Sequence, residues 1–221
     1  MQRATDRQAR MSGDGILSKI ARQPTVARLW SDHVLHLFAA DVPGAGAPAD
    51  LDIRVNDMSH VRRFEQTVPW QTREHFVSAA ERRLAEGKTL LFTVAAADGP
   101  LLGYGLAHPN SQDTTYTHVG QRVVWPERTA TLYGGYVHPM ARGHGLHAAL
   151  QLARIRYLIA ELGMRWVVSG VVSTNLAALA SARKSGVRPV ALLRTRRRLG
   201  MVRMTAERID PTFEARFVDA A

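Results

Sequence analysis

One stretch of the sequence, Tyr136 to Leu150, constrains the fold more than any other: YVHPMARGHGLHAAL. It leads from a strand-like run, residues 129–139, through a proline and two glycines into residues with helical spacing. Helix N-termini carry unpaired N–H donors and a partial positive charge, and glycines let an anion approach them closely. The stretch therefore predicts a loop that binds an anion, of which pyrophosphate is the best candidate. A purely structural turn is the alternative.

Two common nucleotide-binding loops and a metal site do not fit this stretch. It lacks the Lys-Ser/Thr ending of a P-loop, and its glycines do not follow the dinucleotide-binding fingerprint. His138, His144 and His147 have no evident carboxylate partner at ligand spacing. We therefore predict no metal, and we expect the glycines between the histidines to serve the phosphate.

Composition excludes several classes of function. The chain has no cysteine, so disulfides, thiolate–metal sites and a cysteine nucleophile are excluded. No apolar run is long enough to span a bilayer, and the polar N-terminus is not a secretory signal, so a cytoplasmic location is expected. The net charge of +10 comes from arginine, since the lysines are only Lys19, Lys88 and Lys184. It favours anionic partners, or it reflects genome composition; nucleic acid is a minor alternative supported by charge alone.

The chain divides by composition into an N-terminal extension, residues 1–50, and a domain, residues 51–221. The polar start is expected to be disordered. Apolar residues at helix spacing follow: Val26, Leu29, Trp30, Val34, Leu37 and Phe38. They predict a helix over about residues 15–41 that docks on the domain, with a membrane-surface or partner helix as the alternative. Residues 42–50, VPGAGAPAD, have the composition of a linker.

The first half of the domain predicts a strand, two helices and a hairpin. LDIRVND alternates like a strand, residues 58–87 are helical in two pieces broken near Pro69, and Asp98-Gly99 marks a hairpin turn. Residues 109–128 are polar and irregular and predict a loop at the mouth of a site.

The second half of the domain predicts further strands and helices around the opening stretch. A helix over about residues 145–162 ends at Gly163, and the nearly continuous apolar run RWVVSGVV predicts a buried strand. A second helix ends at Gly186, and a final hairpin contains RTRRR, Arg194–Arg198, whose charges either face solvent or overlook the site. The element order predicts an α/β (α+β) fold, a mixed sheet with helices on both faces.

From about Asp52 to Thr205 the chain resembles the GNAT superfamily of acyl-CoA-dependent N-acyltransferases. That family carries V-x-P-x-x-R-G-x-G-x-(G/A) between a strand and a helix, and later N-x-x-A-x-x-x-Y-x-K-x-G-F. The matching residues here are Val137, Pro139, Arg142, Gly143 and Gly145, then Asn175, Ala178, Lys184 and Gly186. The resemblance implies a GNAT-like, mostly antiparallel sheet flanked by helices, with a splayed central strand pair.

The resemblance also implies a site for acetyl-CoA or another acyl-CoA. Backbone N–H groups of residues 142–147 would bind the pyrophosphate, the strand near Tyr136–His138 would pair with the pantetheine arm, and Asn175 would face that arm or the thioester. Free donors at Gly134-Gly135 would stabilise the thioester oxyanion. The predicted cofactor-binding residues are Val137, His138, Arg142, Gly143, His144, Gly145, Leu146, His147 and Asn175.

Three positions depart from the family pattern, one of which is Val187 in place of the final aromatic residue. His147 replaces the last small residue of the pyrophosphate loop, where it would either crowd the cofactor or contact its phosphates. Ala182 stands in place of the tyrosine that protonates the leaving thiolate, and Ser181 beside it is a weak substitute. The general acid is therefore not identified by the resemblance.

The predicted catalytic residues are Tyr133, Tyr136 and Glu127. A general base must lie within hydrogen-bond reach of the amine, directly or through one water. Some relatives place a histidine at the strand position that Tyr133 occupies, and Glu127 lies slightly earlier in the chain. The two tyrosines point in opposite directions on a regular strand unless the glycine pair shifts the alternation. The alternative is that both tyrosines are packing residues with satisfied hydroxyls.

The sequence thus predicts an N-acyltransferase that moves an acyl group, with acetyl as the first candidate, from acyl-CoA to a primary amine of a small molecule or peptide. The alternative is a catalytically degenerate GNAT-like CoA-binding or regulatory module, for which Ala182 is the support. The acceptor, the acyl chain length and a homodimer are left open by the sequence.

Overall fold

A computed structural model describes residues 30–43, 51–69 and 71–219 of the chain. Its strands are β1 Trp30–Ala40, β2 Ile53–Val55, β3 Leu90–Ala95, β4 Leu101–His108, β5 Asp113–Tyr116, β6 Gln121–Val124, β7 Thr129–Val137, β8 Trp166–Val172, β9 Arg188–Arg198, β10 Met201–Arg208 and β11 Arg216–Asp219. Its α-helices are α1 Met58–Val61, α2 Arg73–Ala85, α3 Leu146–Arg156 and α4 Leu176–Lys184. A π-helical turn, Tyr157–Glu161, extends α3.

An eight-stranded sheet organises these elements in the order β10-β9-β1-β8-β7-β4-β3-β2. Neighbouring strands are antiparallel except β7 and β8, which are parallel. This confirms the predicted mixed, mostly antiparallel sheet flanked by helices. The parallel pair arises because α3 connects β7 to β8, and parallel neighbours need a crossover of this kind.

The predicted helix over residues 15–41 is wrong for Trp30–Ala40, which form β1 between β8 and β9. A central strand is covered on both faces, so its sequence is a nearly continuous apolar run. The spacing of apolar residues in such a run also fits a helix, so spacing alone does not distinguish the two structures. Pairing with two neighbouring strands decides the outcome. The strand belongs to the same sheet as the elements that follow residue 51. Residues 1–29 and 44–50, which contain the rest of that predicted helix and most of the linker, lie outside the described part.

Residues 109–128 are not the irregular loop that their polarity predicts. They contain β5 and β6, which join β11 in a second sheet of three strands. Val119, Val123 and Trp125 are buried against the main sheet and Phe213. The partner strand lies about 90 residues further along the chain, so local sequence carries no signal for this pairing.

The two faces of the main sheet have different covers. Helix α3 packs on one face through Leu146, Leu150 and Ile155, and α4 lies beside it. On the opposite face, α1 and α2 cover β3 and β4, while the three-stranded sheet covers β1, β8 and β9. Strand β7 lies between these two covers, so its side chains on that face lie at the boundary between them.

Most of the remaining predictions agree with the structure. The two helical pieces between residues 58 and 87, the hairpin β3–β4 and the final hairpin β9–β10 are present. Gly163 and Gly186 end their helical segments with positive φ angles of 62° and 68°, which glycine adopts without strain. Among the described helices, none has the length and apolar character needed to cross a membrane.

Candidate active site

The central parallel strands separate part of the way along their length. Pairing of β7 with β8 runs from Thr129↔Trp166 to Leu132↔Ser169 and stops there, although both strands continue. The edge of β7 that faces β8 is therefore unpaired from residue 133 onward among the described residues. Such an edge presents main-chain donors and acceptors to an extended ligand.

A β-bulge lies in β7 where the strands part. Tyr104 pairs with Tyr136 and Leu106 pairs with Tyr133, so β7 has one more residue than β4 across this interval. Gly134, in the bulge, has φ of 60°, and a Cβ there would lie 2.8 Å from the Leu106 side chain. The bulge shifts the alternation of side chains, and Tyr133 and Tyr136 consequently lie on the same face of the sheet.

The loop before α3 presents backbone donors to solvent. Gly143 and Gly145 have φ angles of 83° and 78°, and a Cβ at either position would meet no atom within 4 Å. Gly145 caps α3 without a side-chain hydrogen bond. Main-chain N–H groups of residues 143–148 find no acceptor in the described part of the chain, whereas that of Arg142 donates to the Pro139 carbonyl. A helix N-terminus with this many free donors has the geometry that an anion requires for binding.

A cleft of about 480 Å³ connects this loop to the bulge. Helix α3, helix α4 and the end of β7 form its walls. Seven of the nine predicted cofactor-binding residues line it: Val137, Arg142, Gly143, Gly145, Leu146, His147 and Asn175. The structure therefore brings these residues together around one space, although they are separated by up to 38 positions in the sequence.

The two remaining predicted cofactor-binding residues, His138 and His144, do not line the cleft. His138 is buried: its Nδ1 accepts from the Met140 N–H at 3.4 Å and its Nε2 lies 3.6 Å from a Glu65 carboxylate oxygen. His144 is exposed at the tip of the loop. Among the described residues, no group of three or more His, Asp or Glu side chains is arranged to hold a metal ion.

His147 projects from the first turn of α3 into the cleft. Its Nδ1 lies 2.6 Å from Ser181 Oγ on α4, and its Nε2 lies 2.9 Å from the position that a Cβ would take at Gly135. The imidazole therefore lies against the bulge. Burial lowers the pKa of His147 below its ordinary value, and the nearby Arg154 guanidinium lowers this pKa further.

Arg154 lies two helical turns after His147 and is buried behind β4. Its Nη1 donates to the Leu106 carbonyl at 3.2 Å and its Nε donates to the Leu150 carbonyl at 3.3 Å. Gly105 makes room for it, because a Cβ there would lie 2.5 Å from the guanidinium carbon. Burial lowers the pKa of Arg154 to about 10, so the group stays cationic at neutral pH.

At α4, Asn175 caps the helix and Ala182 is buried. The Asn175 side-chain oxygen caps the helix by accepting from the Ala178 N–H at 3.1 Å, and the residue also lines the cleft. Ala182, at the place of the family's tyrosine, is 1% exposed. Ala182 has no hydroxyl and does not line the cleft, whereas Ser181 lines it and carries a hydroxyl.

The predicted catalytic residues are dispersed. Tyr136 lines the cleft, stacks on Tyr104 and shares a hydrogen bond of 2.9 Å between its hydroxyl and Thr67 Oγ1. The Tyr133 hydroxyl pairs with Thr89 Oγ1 at 3.0 Å. Glu127 is exposed in the turn before β7, roughly 20–25 Å from the bulge by the rise of a strand. The structure therefore places Tyr136 in the wall of the cleft with its hydroxyl on the opposite face of the sheet, and it leaves Glu127 at the opposite end of β7.

Sequence reasoning missed the grouping of His147, Ser181 and Arg154. The sequence could have indicated the proximity of His147 and Arg154, because residues seven apart lie on one face of a helix. No such rule connects His147 to Ser181, because the contact forms between two helices. Lys184, noted only as a motif match, also lines the cleft.

Comparison with known proteins supports the assignment of the family. The model of the acetyltransferase (GNAT) family matches residues 55–187, more than half of the chain. A search of curated protein sequences found no match.

Solved structures similar to this chain include two acetyltransferases and a tandem GNAT protein. One is a GNAT-family acetyltransferase from Colwellia psychrerythraea, 13% identical, with a TM-score of 0.48, over 81% of this chain and 56% of that one. Another is a tandem GNAT protein from the clavulanic acid biosynthesis pathway, 18% identical, with a TM-score of 0.49, over 80% and 56%. The third is the aminoglycoside N-acetyltransferase AAC(6')-Iy in complex with CoA, 20% identical, with a TM-score of 0.48, over 62% and 86%.

The chain spans little more than half the length of the first and second of these structures. The family model, by contrast, covers both motifs, from the glycine-containing loop before α3 to the end of α4. On this match the chain belongs to the acetyltransferase (GNAT) family.

Proposed function

We propose that the protein transfers an acetyl group from acetyl-CoA to a primary amine of a small molecule or peptide. One observation carries the proposal: a helix N-terminus with free N–H donors opens into a cleft that ends at two splayed strands. The donors at Gly143–Ala148 suit the diphosphate, and the unpaired edge of β7 suits the amides of the pantetheine arm.

Cations add to the attraction for a phosphorylated donor. Arg142 and Lys184 line the cleft, and no carboxylate lines it among the described residues. The Arg142 Nε donates to the Val137 carbonyl at 3.2 Å, which holds the side chain across the loop. A cleft lined by charge of one sign raises the local concentration of an oppositely charged substrate.

The two substrates would approach from opposite faces of the sheet. Helices α3 and α4 enclose the cleft on one face, so acyl-CoA would enter there. Tyr133 and Tyr136 lie on the other face, between α1–α2 and the three-stranded sheet. An amine approaching from that face would meet the thioester at the bulge. This arrangement supports direct attack within a ternary complex, with Tyr136 contacting the amine.

A catalytically degenerate CoA-binding module is the second candidate, and the buried Ala182 favours it. It predicts acyl-CoA binding without acyl transfer to any amine. A cytoplasmic location and a homodimer stay predictions from the sequence.

The proposal is tested by measuring acyl-CoA binding to wild type and to Gly145→Glu by calorimetry. The new carboxylate would lie among the free N–H donors and repel the diphosphate. Affinity for acetyl-CoA is expected to fall at least about tenfold, since about 1.4 kcal/mol of lost attraction gives that factor. Longer acyl-CoAs and free CoA, measured in parallel, report the chain length that the cleft accepts.

Gly200→Glu is the matched control for Gly145→Glu. Gly200 lies at the tip of the β9–β10 hairpin with φ of 84°, and a Cβ there also meets no atom within 4 Å. Both variants therefore place a side chain at a similar positive φ and add the same charge. Equal acetyl-CoA affinities of the two variants would contradict the anion site. Binding without release of CoA against a broad set of amines would favour the degenerate module.

A further inference from the structure

The cleft contains one group that can accept a proton near neutral pH. The ionisable side chains that line it are those of Arg142, His147 and Lys184, whereas Tyr136 lines it with its hydroxyl bound to Thr67 on the opposite face of the sheet. Arginine and lysine side chains donate hydrogen bonds and have no acceptor atom. No carboxylate lines the cleft in the described part of the chain. An imidazole is therefore the available base.

One nitrogen of the His147 imidazole is hydrogen-bonded, and the other nitrogen faces the bulge in β7. Ser181 Oγ holds Nδ1 at 2.6 Å, while Nε2 lies beside Gly135 in the bulge. A ring nitrogen is directed at its reaction partner when the other nitrogen is fixed by a hydrogen bond. The Nδ1–H tautomer, donating to Ser181, leaves a lone pair on Nε2 at the point where β7 and β8 part.

We propose that His147 is the acid–base residue of the acyl transfer and that Ser181 positions its ring; this inference rests on the proposed function. As the amine nitrogen bonds to the thioester carbonyl carbon, His147 Nε2 takes the proton that the nitrogen releases. As the carbon–sulfur bond breaks, the resulting imidazolium gives that proton to the departing sulfur. The products are the amide and CoA thiol, and His147 returns to its neutral form.

The surroundings of His147 favour both proton transfers. Burial and the Arg154 cation lower the pKa of His147, so the ring is neutral at pH 7 and ready to accept a proton. The same surroundings destabilise the imidazolium once it forms, which promotes transfer to the thiolate. Nitrogen and sulfur are attached to one carbon in the tetrahedral intermediate, so a single ring nitrogen reaches both in turn.

The assignment accounts together for two of the departures from the family pattern, those at His147 and Ala182. The chain has an alanine at the usual tyrosine and a histidine at the usual small residue of the loop. Ala182 is adjacent to Ser181, and Ser181 contacts His147. The proton donor lost from α4 is thus replaced by a donor on α3 that reaches the same cleft.

The test uses the full chain and an amine that wild type acetylates, found by screening for CoA release. His147→Gln removes the titrating group and keeps a hydrogen-bonding side chain. His147→Ala leaves a space that free imidazole can fill. His118→Gln is the matched control, because His118 is exposed in the β5–β6 turn beside His33, on the face opposite α3. Acetyl-CoA affinity is measured by calorimetry for every variant.

We expect His147→Gln to lower kcat at least about 10²-fold, the usual contribution of a general acid–base group, with acetyl-CoA affinity nearly unchanged. Added imidazole should restore amide formation in His147→Ala and should not do so in wild type. Ser181→Ala should lower kcat about tenfold, as expected for loss of one positioning hydrogen bond, with little change in the KM for acetyl-CoA. His118→Gln should behave as wild type.

Other outcomes overturn the inference in distinguishable ways. Wild-type kcat in His147→Gln would remove the residue from the chemistry and leave the proposed function intact. A rise in both acetyl-CoA affinity and kcat in His147→Ala would identify the ring as an obstacle in the cleft. Wild-type protein that neither binds acetyl-CoA nor acetylates any amine would contradict the proposed function and this inference together.

Discussion

Arg154 carries its positive charge into the interior of the molecule. Its hydrogen-bond partners in the described chain are the main-chain carbonyls of Leu106 and Leu150. Burying a cation without a carboxylate beside it costs free energy, and the lowered pKa of Arg154 expresses that cost. The charge lies behind the bulge and within electrostatic reach of His147, so it acts on the site without entering the cleft.

Replacing Arg154 by Met is expected to raise the pKa of His147 part of the way to its ordinary value. Removal of a neighbouring cation favours the imidazolium, while burial, the larger cause of the lowered pKa, remains. An NMR titration of the labelled His147 ring measures the effect. Arg156→Met is the matched control, because Arg156 is exposed on the same helix. An unchanged His147 pKa in Arg154→Met would contradict the coupling.

At the scale of elements, Arg188 at the start of β9 connects segments that are distant in sequence. Its guanidinium contacts Asp41, just after β1, and Asp210, just after β10, at 2.7 Å each. It also lies over the Trp166 ring of β8, 5.1 Å from the ring centroid. Because Phe213 and Ala215 follow Asp210 and pack in the core, this cluster helps to hold the chain that leads to β11.

The Asp210 carboxylate makes this cluster sensitive to acid. Hydrogen bonds from Thr212 and Arg188 lower the pKa of Asp210 from its ordinary 3.8 to about 2. A carboxylate with a lowered folded-state pKa stabilises the fold fully above its unfolded-state pKa, and this stabilisation disappears as the pH falls through the folded-state value. Stability from Asp210 is therefore expected to be complete above about pH 4 and lost by about pH 2.

Asp210→Asn tests this expectation, because it retains an oxygen acceptor and removes the charge. The variant should unfold in less urea than wild type at pH 6, and the difference should vanish near pH 2. Asp98→Asn, which alters an exposed carboxylate in the β3–β4 turn, should leave the urea midpoint nearly unchanged at both pH values. A constant difference between Asp210→Asn and wild type from pH 6 to pH 2 would contradict the role of charge.

Sequence patterns predicted correctly the elements whose conformation is set by their own residues. They failed for strands whose conformation is set by contacts with distant parts of the chain. Gly163 and Gly186 end their helices as predicted, since positive φ is a property of the residue itself. The Asp98-Gly99 turn and the glycines of β7 were likewise identified from their own chemistry. Strands β1 and β6 were missed because they pair with strands remote in sequence, and pairing decides their conformation; β5 pairs only with β6.

On the scale of the whole molecule, β1 connects the two ends of the main sheet. It pairs with β8 on one side and with β9 on the other, so without it β10 and β9 would not pair with the rest of the main sheet. Leu35, Leu37 and Phe38 of β1 are at most 5% exposed. Their burial contributes roughly 5–9 kcal/mol at 1.5–3 kcal/mol for each large apolar side chain, which is comparable to the stability of a domain.

A chain that begins at residue 51 is therefore expected not to fold, although the sequence alone suggests a domain boundary there. Size-exclusion chromatography and urea unfolding would show an aggregated or non-cooperative product. Removing only residues 1–14, which the sequence predicts to be disordered, serves as the control and should leave a cooperative transition. Cooperative unfolding of residues 51–221 alone, at the urea midpoint of the full chain, would contradict the role of β1.

For the candidate site too, some features follow from the local sequence and others only from the tertiary structure. The order of residues determined the glycine-containing loop before α3, because free donors and glycines at a helix N-terminus follow from local geometry. Tertiary structure alone decided what lies around it: the splay of β7 from β8, the burial of Arg154 behind Gly105 and the contact of His147 with Ser181. Each of these depends on the packing of elements that are separate in the chain, and local residue chemistry does not specify such contacts.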